Sequence, residues 1–338
     1  MNKRNYLIVL MICLALLISS CNKSGASTGG APKTPYLGGT NAITVNFEKD
    51  SPPPEVTDDE SFAFKSIVRL KNDGEFKVEK NNIKVNLVGF DPADFGKDFS
   101  DLKDVVPQDD LEPKRRDAEG NTIEGTTTFA TFPRSGDDFV PTKFLGNTPF
   151  TFRADVCYYY ETHSQTNLCV LRDLINIRQN ENCRPDTAKT IYSSSAPVQV
   201  NNFRESVIGK DKLSFSFDIV LNGKVDIFAD KSETKPTNFD AACPRDPRAR
   251  REVENNVIVE ITEIPKDPIF TDLRCGGLDN SNKGVVRLVN GKRTITCTVS
   301  LVQDRSDYLE KRVGINLAYN VLDRKETQVL IKHLADGS

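Results

Sequence analysis

Chemistry in this chain could come from a few groups of residues. Asp91, Asp94, Asp98, Asp101, Asp104, Asp109 and Asp110 crowd the stretch 91–125, and clustered carboxylates can supply the roughly six to eight oxygens that calcium takes. The spacing never forms D-x-[DN]-x-[DN]-G with a closing Glu, and Asp279-Asn280-Ser281-Asn282-Lys283-Gly284 lacks that Glu too. A solvated acidic loop is expected there, and no metal ligand is assigned. His163 lies in the polar run Glu161-Thr162-His163-Ser164-Gln165-Thr166-Asn167 and His333 near the C-terminus; both are expected at the surface. No G-x-S-x-G, H-E-x-x-H, G-x-G-x-x-G or P-loop pattern occurs. The expectation is therefore a protein that is not an enzyme, with no catalytic residue and no cofactor. Glycosidase-type carboxylate pairs leave no short signature, and nothing points to one. Lys114-Arg115-Arg116 and the run Arg245 to Arg251 could dock an anionic glycan, a lipid headgroup or a partner protein. Each sits among Pro or acidic neighbours, where a solvated loop is the expectation. In Tyr158-Tyr159-Tyr160, strand alternation turns Tyr159 away from its neighbours, so one side is expected in the core.

Composition narrows the classes further. The chain has 338 residues, 38% apolar and 28% charged, with 8 Cys, 2 His and no Trp. These fractions exclude collagenous, coiled-coil and wholly disordered chains, and the length suits one large or two medium cores. A net charge of −3 gives no electrostatic footprint for nucleic acid.

Lys3 and Arg4 precede an apolar run from Tyr6 to Ile18, followed by Ser19-Ser20-Cys21, the layout of a secretory signal. The run is short of the roughly 20 residues a spanning helix needs. Ile18-Ser19-Ser20-Cys21 resembles the lipobox of prokaryotic lipoproteins, which implies cleavage after residue 20 and a lipid on Cys21. Residues 21–42, rich in Gly, Ser, Thr and Pro, are expected to be a flexible linker.

Setting aside Cys13 in the signal and Cys21 leaves Cys157, Cys169, Cys183, Cys243, Cys275 and Cys297. Outside the cytoplasm such an even set implies disulfides, and the lack of C-x-x-C spacing argues against zinc. Cys157 and Cys169 flank a hairpin-like turn over residues 161–167, and Cys275 and Cys297 end two strand-like runs separated by turn residues. The expected bridges are Cys157–Cys169 and Cys275–Cys297, leaving Cys183–Cys243 by elimination.

These residues must be positioned by strands. Period-2 alternation recurs along the chain, as in Leu213, Phe215, Phe217, Ile219 and in Val313, Ile315, Leu317, Tyr319. Asn72-Asp73-Gly74, Asn222-Gly223 and Asn290-Gly291 supply turns. No apolar stretch keeps a 3.6 period over three turns, although a short helix around Ala93–Asp104, or ordering for function, is expected within the acidic excursion. The fold class expected is all-β: a β-sandwich over 43–192 carrying the insertion at 91–125, a polar break at 193–197, and a second sandwich over 196–334.

Ser51-Pro52-Pro53-Pro54, Phe62-Ala63-Phe64 and Val68-Arg69-Leu70-Lys71-Asn72-Asp73-Gly74 resemble the opening strands of CARDB-type and related immunoglobulin-like domains. Arg287-Leu288-Val289-Asn290-Gly291-Lys292 and Leu317-Ala318-Tyr319 are similar to a second such module. Together they look like archaeal-type surface lipoproteins of uncharacterised kind with tandem CARDB/immunoglobulin-like domains. The resemblance implies two antiparallel immunoglobulin-like sandwiches and a surface location, and carries over no functional residue. The function expected is a non-enzymatic binding or scaffolding protein of the cell envelope. It would be held at the membrane by its N-terminal lipid, with an envelope or surface protein or a glycan as partner. A ligand-capturing lipoprotein serving a transporter, or an envelope hydrolase, is the alternative.

Overall fold

The computed structural model describes residues 34–59, 61–177, 183–231, 235–279, 282–304 and 306–334. The signal at 1–20, Cys21 and the linker as far as residue 33 lie outside the described residues. Residues 34–42, which composition assigns to the linker, are docked: the N–H groups of Leu37 and Gly38 donate to Glu75, at 2.8 and 2.9 Å.

The described chain is mostly β. Its strands are β1 (Ile43–Phe47), β2 (Glu55–Thr57), β3 (Ser66–Asn72), β4 (Ile83–Val88), β5 (Arg115–Arg116), β6 (Thr122–Ile123), β7 (Thr127–Phe132) and β8 (Thr148–Leu171). There follow β9 (Tyr192–Ser193), β10 (Val198–Gly209), β11 (Lys212–Leu221), β12 (Asp226–Phe228), β13 (Asn256–Thr262), β14 (Phe270–Cys275), β15 (Lys283–Arg287), β16 (Lys292–Leu301) and β17 (Tyr308–Lys332). Two short helices, α1 (Phe239–Ala242) and α2 (Pro247–Val253), lie between β12 and β13. The expected helix around Ala93–Asp104 is replaced by two 3-10 turns, Pro92–Phe95 and Phe99–Leu102, which bury Phe95 and Leu102.

The central sheet runs β15-β13-β17-β8-β4, with β12 and β2 also on β17 and β9 also on β8. Its spine is the β8–β17 pair, antiparallel and in unbroken register from Leu171↔Tyr308 to Thr148↔Ile331. All 24 residues of β8 take part, so the pair is about 80 Å long at ~3.3 Å per residue. One end of this sheet packs against the sheet β1-β3-β7, the other against β10-β11-β16-β14. Aromatic rings fill the first end: Phe152 of β8 stacks on Phe90 at 4.1 Å and meets Phe64 and Phe139. In the second end Phe203 stacks on Phe215 at 5.5 Å and lies parallel to Phe217. A single apolar core runs under both. The break at 193–197 is therefore spanned by the spine. β8, from the first set of strands, reaches into the second sandwich, and β17, from the second, reaches back into the first.

The run 161–167 is not a turn, and the reason is chemical. It contains no Gly or Pro, and its polar residues keep strand alternation. Thr162, Ser164 and Thr166 point inward and are buried, while Glu161, His163, Gln165 and Asn167 point outward. The inward hydroxyls are satisfied by the chain at 190–198: Thr162 donates to the Val198 carbonyl at 2.7 Å and Thr166 to that of Thr190 at 2.8 Å, while Ser164 shares a 2.8 Å bond with Ser193. A strand can thus cross the middle of the core on hydroxyl rather than aliphatic side chains, provided each hydroxyl has a partner.

Straightening that run corrects two bridges. Cys157 and Cys169 lie on one strand twelve residues apart, roughly 40 Å, far beyond the Cα separation a disulfide tolerates. Cys157 is joined to Cys243 and Cys169 to Cys183, in place of the Cys157–Cys169 and Cys183–Cys243 pairs expected. Cys275 is joined to Cys297, its register partner on β16. Three disulfides place this fold in an oxidising, extracytoplasmic setting. Among the described residues no helix is long and apolar enough to cross a membrane.

Candidate functional site

Alternation sends the odd-numbered residues of β8 to the outer face of the central sheet. Two excursions of the chain cover part of that face, each fixed by a disulfide. At Cys157, the bridge to Cys243 holds α1 and α2 over a small apolar patch of Phe228, Phe239 and Leu322. At Cys169, the bridge to Cys183 holds the loop that precedes β9. Between the two staples the outward positions Glu161, His163, Gln165 and Asn167 stay half-buried or exposed. Facing them across the ladder are Ala318, Asn316, Gly314 and Arg312.

At the upper part of this strip His163 is held on both ring nitrogens. Nδ1 lies 3.0 Å from Asn316 Oδ1 and Nε2 lies 3.3 Å from Glu161. Glu161 also accepts the Tyr159 hydroxyl proton at 2.5 Å. Burial, and then this hydrogen bond to a carboxylate, push the Tyr159 phenol well above its ordinary value. With both nitrogens occupied, the imidazole is a positioned polar group. Phe76 covers one end of the chain, its ring 5.9 Å from Tyr159 and 6.1 Å from His163.

Lower on the strip, a groove of about 370 Å³ opens between β17 and the chain at 189–192. Its polar groups include Gln165, Asn167, Thr190, Tyr192, Glu310 and Arg312, with Pro35 at its rim. Asn167 donates to Glu310 at 3.3 Å. Arg312 is exposed and makes no hydrogen bond or ion pair among the described residues.

Behind the groove wall sits Glu205 of β10, fully buried. Both its oxygens accept the Cys169 N–H, at 3.0 and 3.2 Å, and Lys189, a wall residue, lies 3.4 Å away. Burial pushes its carboxyl up to about 7. The Cys169 N–H and Lys189 pull the other way, and Asp186 adds to the rise.

The middle of the molecule is also where its parts are tied. Glu75 accepts the N–H of Ser195 at 2.7 Å as well as those of Leu37 and Gly38. The Tyr160 hydroxyl donates to the Ser195 carbonyl at 3.1 Å and accepts the Phe76 N–H at 3.2 Å. Gly74 is required at this crossing, because a Cβ there would stand 1.9 Å from the Tyr160 hydroxyl and 2.7 Å from the Asn41 carbonyl.

The other groups singled out in the sequence are engaged structurally. Asp91 accepts the Ala93 N–H, Asp101 that of Asp98, and Asp104 that of Phe239. Among the described residues no group of three or more His, Cys, Asp or Glu is placed to hold a metal ion. Lys114 pairs with Asp73 and Glu124, and Arg116 bonds Thr34. Arg245 pairs with Asp155 and lies over the Phe239 ring, while Arg250 pairs with Asp226 and Glu254. Tyr158 and Tyr160 face the core, and Tyr159 faces outward beneath Phe76 and Lys235. His333 bonds Asp58 at 2.8 Å, far from the groove in sequence and at the other end of the spine.

No protein-family model matches the chain, and no curated protein matches it. Sequence reasoning missed Glu205, Asn316 and Arg312. Phe203, Glu205 and Val207 share one strand phase, which places a carboxylate on an apolar face and is a signal legible without coordinates. Arg312 carried none: it becomes distinctive only when the ladder sets it beside Asn167 without an acidic partner.

Proposed function

We propose that the protein is a non-enzymatic binding or scaffolding component of an extracytoplasmic surface, tethered through a lipid on Cys21. The observation that carries this reading is the outer strip of β8. Two covalently stapled excursions leave a run of fixed polar side chains open between them, on a rigid 24-residue ladder. A site built on the middle of a sheet is held more firmly than one on loops, and binding surfaces of this kind work without a reacting group. The oxidising setting required by three disulfides and the signal-like N-terminus support the same placement. The tandem immunoglobulin-like kinship belongs to this reading too, since such modules serve as adhesive and display units.

The test is photo-crosslinking on intact cells from a reactive residue placed at Gln165 or Asn167, with Val289, exposed on a turn, as the control position. Discrete adducts from the first two sites alone are expected. Equal adducts from all three positions, or capture of nothing but a diffusible small molecule, would overturn it.

A further inference from the structure

The groove beside β8 has a chemistry that selects among ligands. Its side chains include amides (Gln165, Asn167), a hydroxyl (Thr190), a carboxylate (Glu310), two cations (Lys189, Arg312) and one aromatic ring (Tyr192). Planar amides and carboxylates meet pairs of neighbouring hydroxyls with two hydrogen bonds at once. A tyrosine ring offers a face to the C–H side of a sugar, together with a polar handle. Its open side chains are mainly polar, Pro35 and the Tyr192 ring apart, whereas peptide interfaces depend on buried apolar anchors. The polar groups are also spaced as a grid, about 6.6 Å along a strand and about 5 Å across the ladder, suited to successive units of an extended polymer lying along β8.

Arg312 settles the charge of the ligand. Guanidiniums elsewhere on the outer face are paired: Arg153 and Arg245 with Asp155, Arg250 and Arg324 with Asp226. Arg312 stands exposed, opposite Asn167 in register, with no hydrogen bond or ion pair among the described residues. Glu310, the nearest carboxylate along its strand face, is engaged by Asn167. A planar guanidinium held open on a rigid strand is suited to a carboxylate, which it grips through two parallel hydrogen bonds.

We propose that this groove binds an oligosaccharide bearing carboxylates, of the uronate class, with one sugar carboxylate on Arg312 and a ring stacked on Tyr192. The inference rests on the binding role proposed above and names the ligand class of that same groove.

The experiment is calorimetric titration of the full-length, detergent-solubilised protein with hexasaccharides of galacturonate, mannuronate and hyaluronan, and with neutral maltohexaose. At least one uronate hexamer is expected to bind, and maltohexaose at least tenfold more weakly. Arg312→Ala should weaken uronate binding by tenfold or more and leave the thermal midpoint unchanged, because the side chain is exposed and unpaired; Tyr192→Ala should weaken it too. Binding of no uronate hexamer, equal binding of maltohexaose, or indifference to Arg312→Ala would each overturn the proposal. Discrete protein adducts in the photo-crosslinking experiment, combined with no uronate binding, would overturn this inference alone and leave the scaffolding role standing.

Discussion

Glu205 offers the sharpest test of the packing described above. It is a carboxyl with no exposed surface, whose two oxygens share one backbone N–H and one lysine. Its folded-state value of about 7 stands above an ordinary 4.5. A raised carboxyl means that the folded chain binds a proton more tightly than the unfolded chain. Stability is therefore fully present below the unfolded value and declines as pH rises from about 4.5 to about 7, then levels off. At about 1.4 kcal/mol per unit, the decline attributable to this one group is about 3 kcal/mol. Glu205→Gln keeps the shape and one acceptor for the Cys169 N–H but cannot ionise. The assay is urea denaturation of both proteins at intervals from pH 4.5 to 8. The variant should gain on the wild type by about 3 kcal/mol across that window, with the gap constant above and below it. The effects of Lys189 and Asp186 on the Glu205 carboxyl are already contained in its folded value of about 7. Parallel pH profiles for the two proteins would refute the reasoning, as would a gap that opens in the opposite direction.

Four further predictions concern other parts of the molecule. Replacing Cys157 and Cys243 together by Ala removes a bridge that closes a separation of 86 residues; chain entropy sets the loss at about 4 to 5 kcal/mol, read as a lower urea midpoint with a steeper slope, because the freed denatured chain exposes more surface. Peptide mapping of the unreduced protein should recover Cys157 with Cys243 and Cys169 with Cys183; a Cys157–Cys169 peptide would contradict the single-strand reading of β8. Asp58 is held well below the usual carboxylate range by the N–H groups of Phe144 and Leu334 and by His333. Its stabilisation is present above an ordinary aspartate value and lost as pH falls below it, so Asp58→Asn should flatten the acid limb of the stability profile and speed hydrogen exchange at residues 330–334. Finally, the fragment 43–192 expressed alone should show no dispersed amide spectrum, because β8 would lack β17 along its whole length; a well-folded fragment would contradict the shared spine.

The all-β architecture was legible because alternation of Phe, Val and Ile with polar residues survives in nearly every strand, as in Leu213-Ser214-Phe215-Ser216-Phe217. The length of β8 and β17 was not. Their middle portions bury Thr162, Ser164 and Thr166, or cross a charged run such as Asp323-Arg324-Lys325-Glu326, and a hydropathy pattern reads such segments as turns. What makes them strands is distant: the partner strand over a hundred residues away, and the carbonyls of Val198 and Thr190 that satisfy the hydroxyls. Two of the three expected disulfides failed by the same route, since residues 161–167 read as a hairpin, while Cys275–Cys297 is present. The even cysteine count pointed rightly to three bridges, because that argument needs only the number and the compartment. The groove was invisible for a further reason: its charge balance depends on which side chains the β8–β17 register sets side by side.

The spine also dictates an order of events during biosynthesis. β8 is synthesised more than a hundred residues before β17, its mate along every position. Until β17 arrives, a long row of amide and carbonyl groups on β8 stands open, the kind of edge that recruits other chains. The two bridges anchored on this strand need only Cys183 and Cys243, so both can close while the spine is still half built. They would keep the loose excursions folded back over β8 and leave less of it open to intruders. Neither sandwich can be finished first: both are completed by the arrival of β17, and a chain cut short before it loses both at once.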